Sequence, residues 1–164
     1  MNAPEKSDLA RELPMLGRGF VWQELSVGQA FRTFRRTITE SDLVGFINTT
    51  GMLEAIFIDA TFEGAAIEGR PVPAALTYTF IEGFILQSMI QGTGLAMLEL
   101  NKKILAPVRV GDSIDATVKV TEITPTSRSG RAVVTSVVEV FNQVGVCVMR
   151  YEAKRLLAGR ATQS

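Results

Sequence analysis

"AALTYTFIEGFILQSMI", residues 74–90, decides the fold. If this stretch is a helix, apolar side chains cover almost its whole circumference. A helix with no polar face is enclosed on all sides, as the centre of a wrapped sheet would enclose it. Thr77, Thr79 and Gly83 lower the helix propensity without cancelling it. The stretch therefore predicts a long, buried central helix.

The sequence after this helix has the pattern of consecutive β-strands. Residues 116–121 alternate between apolar and polar side chains, which is the period of a strand with one dry face. Turns rich in glycine and polar residues separate the predicted strands. These strands cover residues 95–108, 114–124, 131–143 and 145–157. Four strands in immediate succession favour an antiparallel sheet.

The sequence before the central helix predicts a short strand and a first helix. Residues 30–40 are strand-like and lead into "ESDLVGFINTTG", for which Thr39 is a good N-cap. Gly51 closes this helix, and residues 52–73 are predicted to be irregular. The face predicted to pack inward carries Leu43, Phe46 and Ile47. The whole order predicts an α+β domain, an antiparallel sheet wrapped around a long central helix.

Composition describes an ordinary globular chain. Its 164 residues are expected to form one domain over residues 18–158, with a flexible N-terminal segment (1–17) and a C-terminal tail (159–164). Seventeen basic and seventeen acidic residues balance, so nucleic acid is not an expected partner. Cys147 is the only cysteine, which excludes an internal disulfide framework. No stretch resembles a membrane span or a signal peptide, so a cytoplasmic location without membrane partners is expected.

Three local strings, taken with the order of elements, resemble the MaoC-like dehydratases, relatives of the (R)-specific enoyl-CoA hydratases. These strings are "VGQAFRTFRRTITESDLVGFINTTG", "GRPVPAALTYTF" and "APVRVGDSIDATVKV". The resemblance covers about residues 26–157 and implies the hot-dog fold. It also implies an acyl-CoA thioester as substrate, with no cofactor beyond the coenzyme A of that substrate. The sequence shows no cluster of metal ligands, so no metal is expected.

The loop "GMLEAIFID", residues 51–59, departs from what the resemblance implies. Hydrating members of the family carry Gly-Asp-x-Asn-Pro-x-His-x-Asp at this place, and their Asp and His handle the water. In an ungapped alignment the catalytic aspartate falls on Met52 and the histidine on Phe57. The chain contains no histidine at all. Neither a thioether nor a benzyl group transfers a proton, so general acid–base hydration by this pair is excluded.

Two carboxylates are tentative catalytic candidates. Glu54 lies two residues from the lost aspartate, and the alternative for it is a solvated loop residue. Glu82 lies in the middle of the apolar helix, so it must be paired, protonated or at an opening. A structural salt bridge across a dimer interface is the alternative for Glu82. Asp59 is predicted to cap the turn "DATFEG".

The start of the central helix is a candidate thioester-binding site. Free backbone N–H groups at a helix N-terminus favour negative charge, and the resemblance implies a polarised thioester carbonyl here. Ala75, Leu76 and the nearby Thr77 are the candidates. A phosphate-rich coenzyme A also needs basic residues, although ordinary surface charge explains each of the scattered ones singly. Those near turns are Arg70, Lys102, Lys103, Arg109, Arg128 and Arg131.

Three functional hypotheses remain open at this point. The first is a MaoC-like hydratase or dehydratase that binds an acyl thioester and lacks the usual Asp/His pair. The second is an acyl-CoA thioesterase that uses a glutamate. The third is a non-catalytic subunit of a hetero-oligomeric hydratase with a catalytic MaoC-like chain. Whether the protein is an enzyme is therefore open, while a homodimer or higher assembly is expected because small sheets commonly cover their edges by pairing.

Overall fold

A computed structural model of the chain describes residues 13, 15–127 and 130–160. It confirms the α+β prediction: six antiparallel strands form a sheet, and one long helix shares a hydrophobic core with three of them. A short 3-10 helix (Trp22–Glu24) comes first. After it the elements are β1 (Ala30–Arg32), β2 (Arg36–Thr37), α1 (Glu40–Thr50), α2 (Ala55–Ile58), α3 (Ala74–Ser88), β3 (Gly94–Ile104), β4 (Ser113–Pro125), β5 (Arg131–Phe141) and β6 (Cys147–Ala158). The strands lie in the order β1-β4-β5-β6-β3, and β2 pairs with β4. Most of the two predicted terminal segments lies outside the described residues.

Local signals set the bounds of α1 as predicted. The backbone N–H of Asp42 donates to Oγ1 of Thr39 at 3.2 Å, and the carboxylate of Asp42 accepts from the N–H of Thr39 at 2.9 Å. This reciprocal capping box satisfies two donors at the helix start. Gly51 ends the helix with φ 71°, in the left-handed conformation that glycine adopts without steric cost. Leu43 and Ile47 are buried as the apolar face of the helix requires.

The helix α3 occupies the core but is not enclosed on all sides, which corrects the sequence prediction. Leu76, Ile81 and Ile85 are at most 1% exposed. Thr79 and Leu86, on another face, are exposed, and Leu86 retains 50% of its accessible surface. The sheet is open and ends at β3, so one chain covers only part of the circumference of the helix.

The strand β3 is an edge of the sheet. It pairs with β6 on one side, and all eleven of its residues are exposed. Its apolar side chains are therefore in solvent in the single chain. Leu95, Met97, Leu98, Leu100 and Ile104 are between 38% and 53% exposed. An edge of this length and character is normally paired or covered.

The chain leaves β3 four residues earlier than the alternation predicts. The N–H groups of Leu105 and Ala106 both donate to the carbonyl of Val148, at 2.9 and 3.1 Å, which interrupts the regular ladder. Pro107 then has no N–H to donate. Val108 accepts from the N–H of Val72 at 2.8 Å. This turn brings residues 106–108 against the segment that precedes α3 and forms one wall of a cavity.

Candidate functional site

The loop that carries the lost acid–base pair folds into the short helix α2. Within it, Ile56 and Phe57 turn toward the core, and Phe57 is half-buried against it. Met52, the other substituted position, is 39% exposed and is absent from the cavity lining. Only one of the two replaced positions therefore faces the enclosed space beside this loop.

An apolar cavity of about 220 Å³ lies between α2, the start of α3 and the strands β3 and β6. Its most exposed lining residues are Ile104 and Ile67, at 50% and 36%. Val148 and Met149, each 1% exposed, are among its buried lining residues. Thr77 is its only residue with a polar side chain. The full lining is Ile56, Phe57, Ile67, Pro71, Val72, Ala74, Thr77, Ile104, Ala106, Pro107, Val108, Val148 and Met149.

The N-terminus of α3 opens beside this cavity. The N–H groups of Leu76 and Thr77 donate to the carbonyl of Pro73, at 2.9 and 3.4 Å, so neither is free. The N–H groups of Ala74 and Ala75 have no acceptor among the described residues. Of the three positions proposed from the sequence, Ala75 thus retains a free backbone donor. Ala74, which the sequence reasoning missed, provides a second free donor and lines the cavity. Donors at this place stabilise negative charge.

Glu54 lies at the surface, directly before α2. It precedes α2 as its N-cap residue, its side chain makes no capping hydrogen bond, and it is exposed. It does not line the apolar cavity. Asp59 accepts from the N–H and the hydroxyl of Thr61, at 2.8 and 2.7 Å, and these two bonds lower its pKa. The prediction that Asp59 caps a turn is therefore confirmed.

Glu82 is buried and paired within its own chain. Its Oε1 accepts from Nη2 of Arg155 at 2.5 Å and from the hydroxyl of Tyr151 at 2.6 Å. Arg155 also donates to Oγ of Ser136 at 2.9 Å. Burial, and then the Glu82 carboxylate, raise the pKa of Tyr151, so its hydroxyl stays protonated as a donor. The salt bridge is thus intramolecular, not the bridge across an interface that the sequence allowed.

Glu82 lines a second cavity, separate from the first. This groove of about 340 Å³ lies between α3 and β3, and it shares no lining residue with the apolar cavity beside α2. Oε2 of Glu82 has no hydrogen-bond partner among the described residues. The lining consists of Tyr78, Glu82, Leu86, Ile90, Gly94, Leu95, Ala96, Met97 and Arg155. The structure therefore does not bring the two candidate glutamates together, nor either of them to the cavity beside α2.

Arg70 holds the cavity wall in place. Its guanidinium donates to both carboxylate oxygens of Glu40, at 2.6 and 2.5 Å, and to the carbonyl of Phe57 at 3.4 Å. It thereby links α1 to α2. Arg109 similarly donates to the carbonyl of Glu68 at 2.6 Å. Sequence reasoning gave these arginines no individual role, because their partners are distant in the chain; Arg128 lies outside the described residues.

Residues 13, 15–127 and 130–160 contain no cluster of three or more His, Cys, Asp or Glu side chains that could hold a metal ion. Among the helices of those residues, none has the length and apolar character that crossing a membrane requires.

Comparison with known proteins places this geometry in a wider context. No family model matches the chain. A 3-hydroxybutyryl-CoA dehydratase from Methylorubrum extorquens is 29% identical over 119 residues, which are 73% of this chain and 74% of that protein. The (R)-hydratase PhaJ1 from Pseudomonas aeruginosa superposes with a TM-score of 0.72 at 26% identity, covering 87% of each chain.

Two further solved structures share the fold. A MaoC-like dehydratase from Rhodospirillum rubrum has a TM-score of 0.76 at 23% identity, covering 88% of this chain and all of that one. A Mycobacterium tuberculosis protein with a double hotdog fold has a TM-score of 0.73 at 14% identity, and the chain covers 46% of it. The hot-dog fold and the resemblance to MaoC-like dehydratases and (R)-hydratases, both expected from the sequence, are thereby confirmed.

Proposed function

We propose that this protein binds an acyl-CoA thioester in the apolar cavity beside α2 and does not hydrate it through the 51–59 loop. The observation that carries the proposal is the lining of that cavity, which is apolar apart from one threonine. An engineered apolar cavity of about 150 Å³ holds benzene, so a cavity of about 220 Å³ has room for a short acyl chain. Transfer of such a chain from water is favourable by about 0.8 kcal/mol per buried methylene.

The free donors of α3 supply the second part of the site. A thioester carbonyl at the N–H groups of Ala74 and Ala75 would accept hydrogen bonds that the fold leaves unused. These donors belong to the backbone, so they persist whatever the side chains of the 51–59 loop are. The similarity to a protein named 3-hydroxybutyryl-CoA dehydratase supports coenzyme A as the carrier of the acyl group.

Catalysis of hydration requires a group that accepts or donates a proton close to the reacting carbons. Phe57, which faces the cavity in place of a histidine, has no such group. Glu54 is exposed and does not line this cavity, and Glu82 lines a different one. The same separation leaves thioester hydrolysis in this cavity without a base, so binding without turnover is the favoured function of the single chain.

An assembly partner is part of this proposal. The exposed edge β3 and the uncovered face of α3 lie on the same side of the domain, because both border the groove at Glu82.

Gly83 of α3 is a further sign of a partner. A methyl group at this position would have only the side-chain amide of Gln87 near it, at 3.9 Å. None of the described residues therefore requires this glycine, which costs about 1 kcal/mol relative to alanine in a helix. Close approach of a second copy, or of a catalytic MaoC-like chain, would require it.

Calorimetric titration with butyryl-CoA, crotonyl-CoA and free coenzyme A tests the proposal, followed by mass spectrometry of each mixture. The expected result is that both thioesters bind, that free coenzyme A binds more weakly, and that no product forms. Gain of one water by crotonyl-CoA would contradict the absence of hydration, and release of free coenzyme A would assign a thioesterase. Failure of both thioesters to bind would overturn the proposed function.

A further inference from the structure

Thr77 carries a buried hydroxyl for which the fold provides no partner. The residue is 1% exposed, and its Oγ1 makes no hydrogen bond with any described residue. Buried hydroxyls in native proteins nearly always have a partner, because leaving one unpaired is unfavourable. A partner for this hydroxyl would therefore have to lie in the cavity beside α2, which Thr77 lines.

Three other helical hydroxyls show the hydrogen bond that Thr77 lacks. Thr49, Thr50 and Ser88 each donate to the carbonyl four residues earlier, at 2.8, 2.7 and 2.6 Å. The corresponding carbonyl for Thr77 is that of Pro73, and it already accepts from the N–H groups of Leu76 and Thr77 itself. The carbonyl that usually accepts from a helical hydroxyl is thus already engaged at this position.

The position of Thr77 in the cavity suggests which group would satisfy it. Among the lining residues, Ile67 and Ile104 are exposed, whereas Thr77 is 1% exposed and so belongs to the buried part of the lining. Ala74 and Ala75 precede Thr77 by two or three residues, which is about 3–4.5 Å along the helix axis. An acyl group whose carbonyl lies at those donors would bring its third or fourth carbon to the hydroxyl of Thr77.

We propose that Thr77 is a specificity-determining residue that binds an oxygen substituent at the third or fourth carbon of the acyl chain. This inference rests on the proposed function, because it takes the thioester carbonyl to lie at the N-terminus of α3. A hydroxyl can donate to a ketone oxygen and can both donate to and accept from an alcohol, so hydroxyacyl and oxoacyl chains both fit. A plain saturated chain leaves the hydroxyl unpaired.

The test compares butyryl-CoA, 3-hydroxybutyryl-CoA and 4-hydroxybutyryl-CoA by calorimetry on the wild-type protein, Thr77→Val and Thr77→Ser. Valine keeps the shape of threonine without the hydroxyl, and serine keeps the hydroxyl. We expect one hydroxybutyryl thioester to bind the wild type about fivefold to tenfold more tightly than butyryl-CoA, as one net hydrogen bond provides. Thr77→Val should lose this preference and Thr77→Ser should keep it.

Each outcome separates this inference from the proposed function. Equal binding of all three thioesters by the wild type, or an undiminished preference in Thr77→Val, overturns the role proposed for Thr77 and leaves the proposed function intact. Absence of binding by all three overturns the proposed function and this inference with it. The melting temperature of unliganded Thr77→Val should equal or exceed that of the wild type, since the variant removes an unpaired buried hydroxyl; a large fall would mean that the hydroxyl has a structural partner.

Discussion

The hydroxyl of Tyr151 donates a 2.6 Å hydrogen bond to Oε1 of Glu82, 69 residues earlier in the chain. Arg155, four residues further along the same strand, donates to the same oxygen at 2.5 Å. Strand β6 therefore supplies two donors to one carboxylate oxygen of α3. The arrangement fixes the helix against the sheet and makes a buried charge tolerable in the core.

Replacement of Arg155 by leucine should strongly destabilise the protein. The side chain of Arg155 is 6% exposed, and its loss leaves the Glu82 carboxylate buried without its charged partner. Removing one member of a buried pair typically lowers the free energy of unfolding by about 3–5 kcal/mol. Urea unfolding followed by circular dichroism measures this difference.

Arg150→Leu is the matched control on the same strand. Its side chain is 56% exposed and lies 3.4 Å from Glu139, so its loss should cost less than about 1 kcal/mol. The double variant Glu82→Leu/Arg155→Leu removes both charges and should recover most of the stability that Arg155→Leu loses. Similar losses for the two arginine variants would contradict a stabilising role of the buried pair.

The capping box of α1 should make stability depend on pH on the acid side. Burial pushes the pKa of Asp42 upward, but hydrogen bonds from Thr39 and the charge of Arg36 outweigh it, so the folded pKa lies below the ordinary 3.8. A lowered folded pKa contributes stability above the ordinary value, and this contribution is lost as the pH falls through the folded pKa. Asp42→Asn should therefore be less stable than the wild type at pH 7, and the difference should shrink below pH 3.8.

Urea midpoints of both proteins, measured from pH 7 down to about pH 2, would reveal the convergence. A difference between wild type and Asp42→Asn that stays constant over this range would mean that ionisation of Asp42 contributes nothing to the cap.

Filling the cavity beside α2 should abolish ligand binding without unfolding the protein. Ala106 lines this cavity and is half-buried. In Ala106→Leu, three added carbons would occupy the space proposed for the acyl chain, so we expect at least a tenfold loss of affinity for butyryl-CoA. Calorimetric titration measures the affinity, and the melting temperature should be unchanged or slightly raised.

Ala96→Leu provides the comparison, because Ala96 lines the separate groove between α3 and β3. This variant should bind butyryl-CoA as the wild type does. An equal loss of affinity in both alanine variants would place the ligand outside the cavity beside α2.

A charge on the edge strand should disrupt assembly. Leu98 of β3 is 53% exposed in the single chain, and pairing of this edge with a second copy would bury it or bring it beside the partner strand. We expect the wild type to sediment as a dimer or larger species, and Leu98→Lys to shift toward the monomer. Analytical ultracentrifugation over a range of protein concentrations measures the shift.

Val144→Lys changes a residue that is 74% exposed, in the turn between β5 and β6, and should leave the oligomeric state unchanged. A wild-type protein that is monomeric at every concentration would remove the basis for pairing through β3.

Much of the fold could be predicted because its signals are local. Thr39, Asp42 and Gly51 determine α1 within a short stretch of sequence, and alternation of apolar residues identifies β4. The exposed face of α3 could not be predicted in this way, because its exposure depends on where the sheet ends. Composition alone makes that helix look equally apolar all round.

The site was less accessible to sequence reasoning because its parts come from distant segments. Burying the Glu82 carboxylate is costly, which predicts a partner for it. That the partner is Arg155, 73 residues away, depends on how β6 packs against α3. The cavity beside α2 combines four separate segments, and none of them alone indicates an enclosed space. The unpaired hydroxyl of Thr77 is likewise apparent only when its surroundings are known.

The apolar lining of the cavity beside α2 also determines how ligand binding is coupled to protons. None of its lining residues ionises, so filling it neither takes up nor releases a proton from the protein side chains that form it. Affinity for an acyl thioester should therefore be the same at pH 7 and pH 9. The binding enthalpy should likewise be the same in buffers with large and small heats of ionisation, which distinguishes this pocket from one that carries an acid–base pair.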